Sequence, residues 1–185
     1  MTFNVSEFAA AGLPQGGARP SHFNGIINTP IGVPNIGARI SVTMKAASLP
    51  ASTLSSIPVR YFGREVKFAG TRTFQPWQVT ILVDEDYATR QALEVWSNLI
   101  NRHEANLRDA SMLNNAAYRT TATVTQYSKV GHALRTYEFV NIFPTEVGPI
   151  ELNWDNGDAI EEFGVVFDYD YWKPVAPTIT GTYAV

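Results

Sequence analysis

From Phe163 to Trp172 the chain alternates. Phe163, Val165, Phe167, Tyr169 and Tyr171 fall on one side of an extended backbone, and Glu162, Gly164, Val166, Asp168, Asp170 and Trp172 on the other. A period of two marks a half-buried strand, here with one apolar face and one acidic, solvated face. Trp77 to Val83 repeats the pattern, with Trp77, Val79, Ile81 and Val83 on one side. Thr120 to Lys129 and Leu134 to Glu146 are further strand candidates, so the fold is expected to be a mainly antiparallel β structure.

Other segments fill in that plan. Arg39 to Lys45 alternates Ile40, Val42 and Met44 with Ser41, Thr43 and Lys45, and is read as another strand. Ala46 to Ile57 is small, serine-rich and uncharged, and is expected to be a long exposed loop. Ile57 to Phe62 and Glu65 to Phe68 flank Gly63-Arg64, the plan of a hairpin. One major helix follows: Asp84 is placed to cap it, Glu85 and Asp86 suit its N-terminal dipole, and Leu93, Trp96 and Ile100 recur at helical spacing. Asn101 to Asn115 is polar and expected to be loop-like. A short helix over Ser6 to Ala11 is stopped by Gly12 and Pro14, and the segment after Pro174 reads as an extended arm. The expected fold is therefore an antiparallel β-sandwich or partly closed barrel with one major α-helix, in a single domain over 1–185.

Composition bounds the function. The 185 residues are 45% hydrophobic and 17% charged, with 10 Phe, 8 Tyr and 4 Trp, enough to build a core. The absence of cysteine excludes a disulfide framework, a thiolate metal site and a cysteine nucleophile. Met1 to Glu7 has neither the basic nor the apolar region of a secretory leader, and 20–38 holds too many Asn, Gly and Pro for a membrane span. The expectation is a soluble chain made in a cytoplasm.

Sites for chemistry are sparse. His103-Glu104 begins a zinc-protease helix motif, but Leu107 stands where the second histidine is needed. His22, His103 and His132 are far apart, and no nucleophile elbow accompanies them. Asp155-Asn156-Gly157-Asp158 fails the ligand order of a calcium loop and fits a tight turn at Asn156-Gly157. The glycines of Gln15 to Pro20 lack the spacing and the Lys-Ser/Thr of a phosphate loop. No catalytic residue, cofactor or metal ligand is expected, and the chain is not read as an enzyme.

The net charge of -3 hides an asymmetry. Residues 1–137 carry thirteen basic and eight acidic side chains, whereas 138–185 carry Lys173 against nine acids. Pairing between neighbouring strands is one explanation. A self-complementary polymer, in which an acidic surface of one copy meets a basic surface of the next, is the other.

Several segments together resemble the major tail tube proteins of contractile-tailed bacteriophages. They are Gly16-Gly17-Ala18-Arg19-Pro20 with Phe23; Pro58 to Gly70 with Thr71-Arg72-Thr73-Phe74 and Trp77; Asp84-Glu85-Asp86-Tyr87 with Trp96 and Asn98; and Tyr137 to Pro144 with the Phe163 to Trp172 strand. The resemblance covers nearly the whole chain in order. It implies a subunit that completes a continuous β-barrel on hexamerisation, with homohexameric rings stacked into a hollow tube. It also implies a sheath protein, a baseplate or tube initiator and a tape-measure protein as partners. The tube would belong to a virion assembled in the host cytoplasm, and DNA would pass through it without sequence-specific binding.

On that reading 1–20 is an N-terminal arm, 46–74 a loop and hairpin for ring stacking, and 173–185 a C-terminal arm. Arg60, Arg64, Lys67 and Arg72 on the hairpin, with Glu161 and Glu162, are the expected inter-ring contacts. Asp168 and Asp170 are expected to face the lumen, where like charge would keep DNA from adhering. The tube protein of a tailocin or contractile secretion system is the alternative, and a monomeric β-barrel binding a small molecule is a third class.

Overall fold

A computed structural model describes residues 8–155 and 157–175. The start of the expected Ser6 to Ala11 helix, Asn156 of the expected turn, and the expected C-terminal arm from residue 176 onward lie outside the described residues.

Nine strands and three α-helices are present among them. They run β1 (Phe23–Ile27), α1 (Gly37–Thr43), β2 (Met44–Ala47), β3 (Ser52–Tyr61), β4 (Arg64–Phe74), β5 (Trp77–Leu82), α2 (Ala88–Ile100), α3 (Asn115–Tyr118), β6 (Thr120–Tyr127), β7 (Ala133–Val147), β8 (Glu162–Asp168) and β9 (Tyr171–Val175). A five-residue π-helical turn covers Phe8–Gly12, and a 3-10 turn covers Ala110–Met112. All pairings are antiparallel. The main sheet runs β1-β6-β7-β8-β5-β2, with β9 also on β7, and β3 with β4 forms a separate two-stranded sheet.

The long strand β7 makes the fold two-layered. Its first part, up to Ile142, pairs with β6 and β9, and its last part, from Phe143, pairs with β8. Between them Asn141 adopts φ +61° as the extra residue of a bulge, a conformation Asn tolerates better than most side chains. The strand bends there, so its two halves belong to facing sheets. Trp77 of one sheet stacks on Phe139 of the other, with centroids 4.4 Å apart and planes 26° from parallel. Phe163, Phe167, Ile27, Ile81 and Val124 close the core around that pair. Each such side chain contributes roughly 1.5–3 kcal/mol by leaving water.

Helix α2 packs onto the same core through Ala92, Leu93 and Trp96, as its spacing predicts. Trp96 donates its indole N–H to Tyr118 O at 2.9 Å, which satisfies the one polar group that this ring carries into the interior.

Five expectations are corrected. Residues 39–43 form helix rather than strand, because the buried set is Ile36, Ile40 and Met44 at a spacing of four, while Val42 is 80% exposed. The expected loop Ala46 to Ile57 is mostly strand, the end of β2 and the start of β3. Asp84 does not cap α2: the N-cap is Tyr87, and Asp86 Oδ1 accepts from Ala88 N at 3.1 Å instead. The last strand is two strands. Asp170 N donates to Val140 O at 3.2 Å, the chain crosses to the other sheet, and Trp172 rather than Tyr171 turns toward the core. The expected Asn101 to Asn115 loop contains a 3-10 turn that buries Met112.

Candidate functional site

The β3–β4 hairpin is the feature that the subunit core does not explain. Every residue of β3 after Ser52 is exposed, and so is nearly all of β4. Cross-strand register places Ile57 with Phe68, Val59 with Val66 and Tyr61 with Arg64, which share one face. The opposite face carries Pro58 with Lys67 and Arg60 with Glu65. A row of Ile57, Val59, Val66 and Phe68 left in water is the kind of apolar patch that marks a contact with another molecule.

The two-residue turn is Phe62-Gly63 rather than Gly63-Arg64, with φ of 45° and 78°. Positive φ at both positions is what a tight hairpin turn with the strand's own twist requires. Phe62 is 90% exposed and stands edge-on to Tyr61 at 4.6 Å, so the tip ends in two aromatic rings.

The expected inter-ring residues divide into two groups. Arg60, Arg64 and Lys67 lie near the tip and have no ion pair among the described residues; Arg72 lies at the base and donates to Ser52 Oγ at 2.8 Å. Glu161 and Glu162 lie elsewhere, before and at the start of β8. Glu162 pairs with Lys45, and Glu161 accepts from the Tyr87 hydroxyl at 2.6 Å, which raises the Tyr87 pKa.

The expected lumen residues also differ. Asp168 is exposed at the end of β8, and its Oδ1 accepts from Tyr169 N at 3.0 Å. Asp170 is engaged by Asn141 Nδ2 at 2.6 Å and by Arg119 at 3.3 Å. Part of the late acidity is thus neutralised within the subunit: Glu138 holds Lys173 at 3.0 Å, raising that ammonium's pKa. Glu151, Asp155 and Asp158 make no ion pair among the described residues.

Among the described residues no three His, Cys, Asp or Glu are grouped to hold a metal ion. The glycine loop has the polarity opposite to an anion cradle, since Gln15 O and Gly16 O accept from Lys129 Nζ at 3.2 and 3.0 Å. No helix among the described residues is long and apolar enough to cross a membrane.

The family model described as phage tail tube protein matches residues 18–174. The chain belongs to the phage tail tube family. It is 30% identical over 157 residues to the tail tube protein gp19 of Enterobacteria phage T4, covering 84% of this chain and 91% of that one. It is 25% identical over 178 residues to the tail tube protein of Serratia phage KSP90, covering 93% and 96%. The fold is also that of a chain in the terminating cap of the anti-feeding prophage tube, at TM-score 0.63 and 15% identity over 87% of this chain and 92% of that one. A chain of the sheath–tube complex of an extracellular contractile injection system superposes at TM-score 0.54 and 17% identity, over 94% and 100%. The chain is thus a tube subunit of the contractile type and a component of the virion, as the resemblance implied.

The hairpin was legible from Ile57 to Phe68, but its strands extend to Ser52 and Phe74, and these added residues are mostly exposed and show no burial period to read. The signal available was compositional: Ile57, Val59 and Tyr61 opposite Val66 and Phe68 are β-formers around a glycine turn.

Proposed function

We propose that this chain forms homohexameric rings that stack into a hollow tube, and that the β3–β4 hairpin is the element that joins one ring to the next. The observation that carries the reading is the exposed apolar row Ile57, Val59, Val66 and Phe68 on a hairpin with no core of its own. An isolated two-stranded hairpin is marginally stable in water, so this one gains its support from a neighbouring copy. Membership of the tail tube family gives the polymer its architecture. A sheath protein surrounds the tube, a baseplate initiator nucleates it, a tape-measure protein sets its length, and DNA passes through on contraction. The role is structural, without catalysis. The phage reading is preferred to a tailocin or secretion tube because the sequence relatives are phage tail proteins, whereas the injection-system chains share only the fold.

Asp168 is the stronger of the two proposed lumen charges, because the Asp170 carboxylate is already balanced by Arg119. A wall of like charge repels phosphate and lets the duplex slide. Reversing Asp168 to Lys in assembled tubes is expected to make them retain DNA at low salt; tubes that pass DNA unchanged would remove Asp168 from the lumen.

The stacking proposal is tested by placing charge on the hairpin's apolar row. Val59→Asp and Val66→Asp change side chains that are about half exposed in the subunit, so its folding is expected to be unaffected. Tube formation, followed by sedimentation and electron microscopy, is expected to be lost. Tubes of normal length and yield from both variants would overturn the role of the hairpin.

A further inference from the structure

The two ends of the β2-β5-β8 sheet carry opposite surfaces. At one end lie Ala47, Trp77 and Phe167, and from there the β3–β4 hairpin departs. At the other end Leu82 pairs with Glu162, and there the segment 148–161 connects β7 to β8. Gly148 N donates to Gly164 O at 2.8 Å, and a Cβ on Gly148 would stand 2.7 Å from that oxygen. Only glycine allows the connection to leave the sheet so closely.

This connection exposes its own apolar side chains. Trp154 is 102% exposed and Leu152 and Ile160 are mostly so, although an indole buried nowhere in its own subunit is a poor use of a large ring. Trp154 and Ile160, with Lys45 and Glu162, line an open groove of about 760 Å³. The charge of the connection is purely acidic: Glu151, Asp155, Asp158 and Glu161, without a lysine or arginine. The two acids nearest β8 already have subunit partners, Glu162 with Lys45 and Glu161 with Tyr87. Glu151, Asp155 and Asp158 make no ion pair among the described residues.

We infer that the β7–β8 connection is the socket for the hairpin tip of a second copy. Phe62 and Tyr61 pack against Trp154 and Leu152, while Arg60, Arg64 and Lys67 face Glu151, Asp155 and Asp158. This rests on the stacked-ring reading and names the partner surface within it. Aromatic anchors with a charged rim are the usual composition of a specific interface. Because the hairpin and the socket depart from opposite ends of the sheet, copies of the same orientation satisfy both at once, and the contact propagates without closing. A tip-to-tip contact would instead bring six cations together.

The chain contains no cysteine, so introduced thiols report the contact without background. Glu65→Cys and Asn153→Cys change two exposed side chains beside the proposed contact residues and leave those residues in place. The two variants are mixed in equal amounts, allowed to assemble, oxidised and run on a non-reducing gel, with electron microscopy of the same samples. A cross-linked dimer from the mixture, absent from either variant alone, is expected. Tubes without the dimer, or dimers from one variant alone, would overturn the socket while leaving ring stacking intact. If the unaltered chain forms no rings or tubes, ring stacking fails and the socket with it.

A charge exchange provides the second test, independent of cysteine. Reversing Arg60, Arg64 and Lys67 to Glu, or Glu151, Asp155 and Asp158 to Lys, is expected to raise the concentration needed for tubes by about tenfold or more. Both reversals in one chain are expected to restore assembly. A doubly reversed chain no better than either parent would contradict the pairing.

Discussion

Asn141, held at φ +61° in the bulge of β7, donates its amide to Asp170 Oδ2 at 2.6 Å, and so ties the bend of the longest strand to the crossover between β8 and β9. Arg119 completes the corner, 3.3 Å from the same carboxylate and over the rings of Tyr118 and Phe143. Two sheets are thereby joined at a point where one strand bends and another breaks. The Asp170 carboxylate has a structural use whatever surface it faces.

Removing that carboxylate is expected to weaken the subunit. Asp170→Ala leaves a half-buried guanidinium whose Nε already has no hydrogen-bond partner. The site is partly solvated, which limits the loss to about 1 kcal/mol, or a drop of about 2–4 °C in Tm. Thermal unfolding of dilute subunit measures it, and an unchanged midpoint would contradict the account.

The turn at Phe62 is expected to trade stability for contact. A bulky residue in the left-handed region costs roughly 1–2 kcal/mol relative to glycine, and Phe62 gains little inside the subunit at 90% exposure. Phe62→Gly is expected to leave subunit stability equal or higher in urea while reducing tube yield. Wild-type assembly from Phe62→Gly would show that the ring at the tip has no partner.

The core pair sets the opposite limit. Trp77 is 1% exposed and stacked on Phe139, so Trp77→Ala is expected to cost about 3–5 kcal/mol. Far-UV circular dichroism in urea distinguishes this from the hairpin substitutions, none of which is expected to lower the midpoint.

Acid sensitivity is expected at the turn Ala110–Met112. Ser111 N–H, the Arg102 guanidinium and the Ser111 hydroxyl bond the Asp109 carboxylate and hold its pKa down at about 2, against 3.8 for a free side chain. A depressed folded pKa stabilises above the unfolded value and loses that contribution as the pH falls through the folded one. The loss therefore falls between about pH 4 and pH 2. Carbon-detected NMR titration of Asp109 measures it; a midpoint near 3.8 would show that the bonds to Ser111 and Arg102 do not persist.

The sequence was legible where burial imposed a period. Trp77 to Leu82 and Phe163 to Phe167 alternate because one face meets the core, and Leu93 and Trp96 recur as they do because α2 lies on it. Reading failed at 39–43, where Ile40 and Met44 fit both periods and the exposed Val42 lent false support to the strand. At the hairpin it succeeded from Ile57 to Phe68 but read Ser52 to Ser56 as loop, because those residues are mostly exposed and show no burial period. The acidic residues of 138–185 were visible as a set, but which of them find partners depends on the register that brings Glu138 to Lys173 and on the crossover that brings Asp170 to Arg119.

The central claim is that the chain is a self-assembling tube subunit. Negative-stain electron microscopy of the concentrated protein, with purified baseplates added as nuclei, tests it most directly. Hollow rings or tubes with sixfold end views are the predicted result. Monodisperse subunits at every concentration, with and without baseplates, would contradict it.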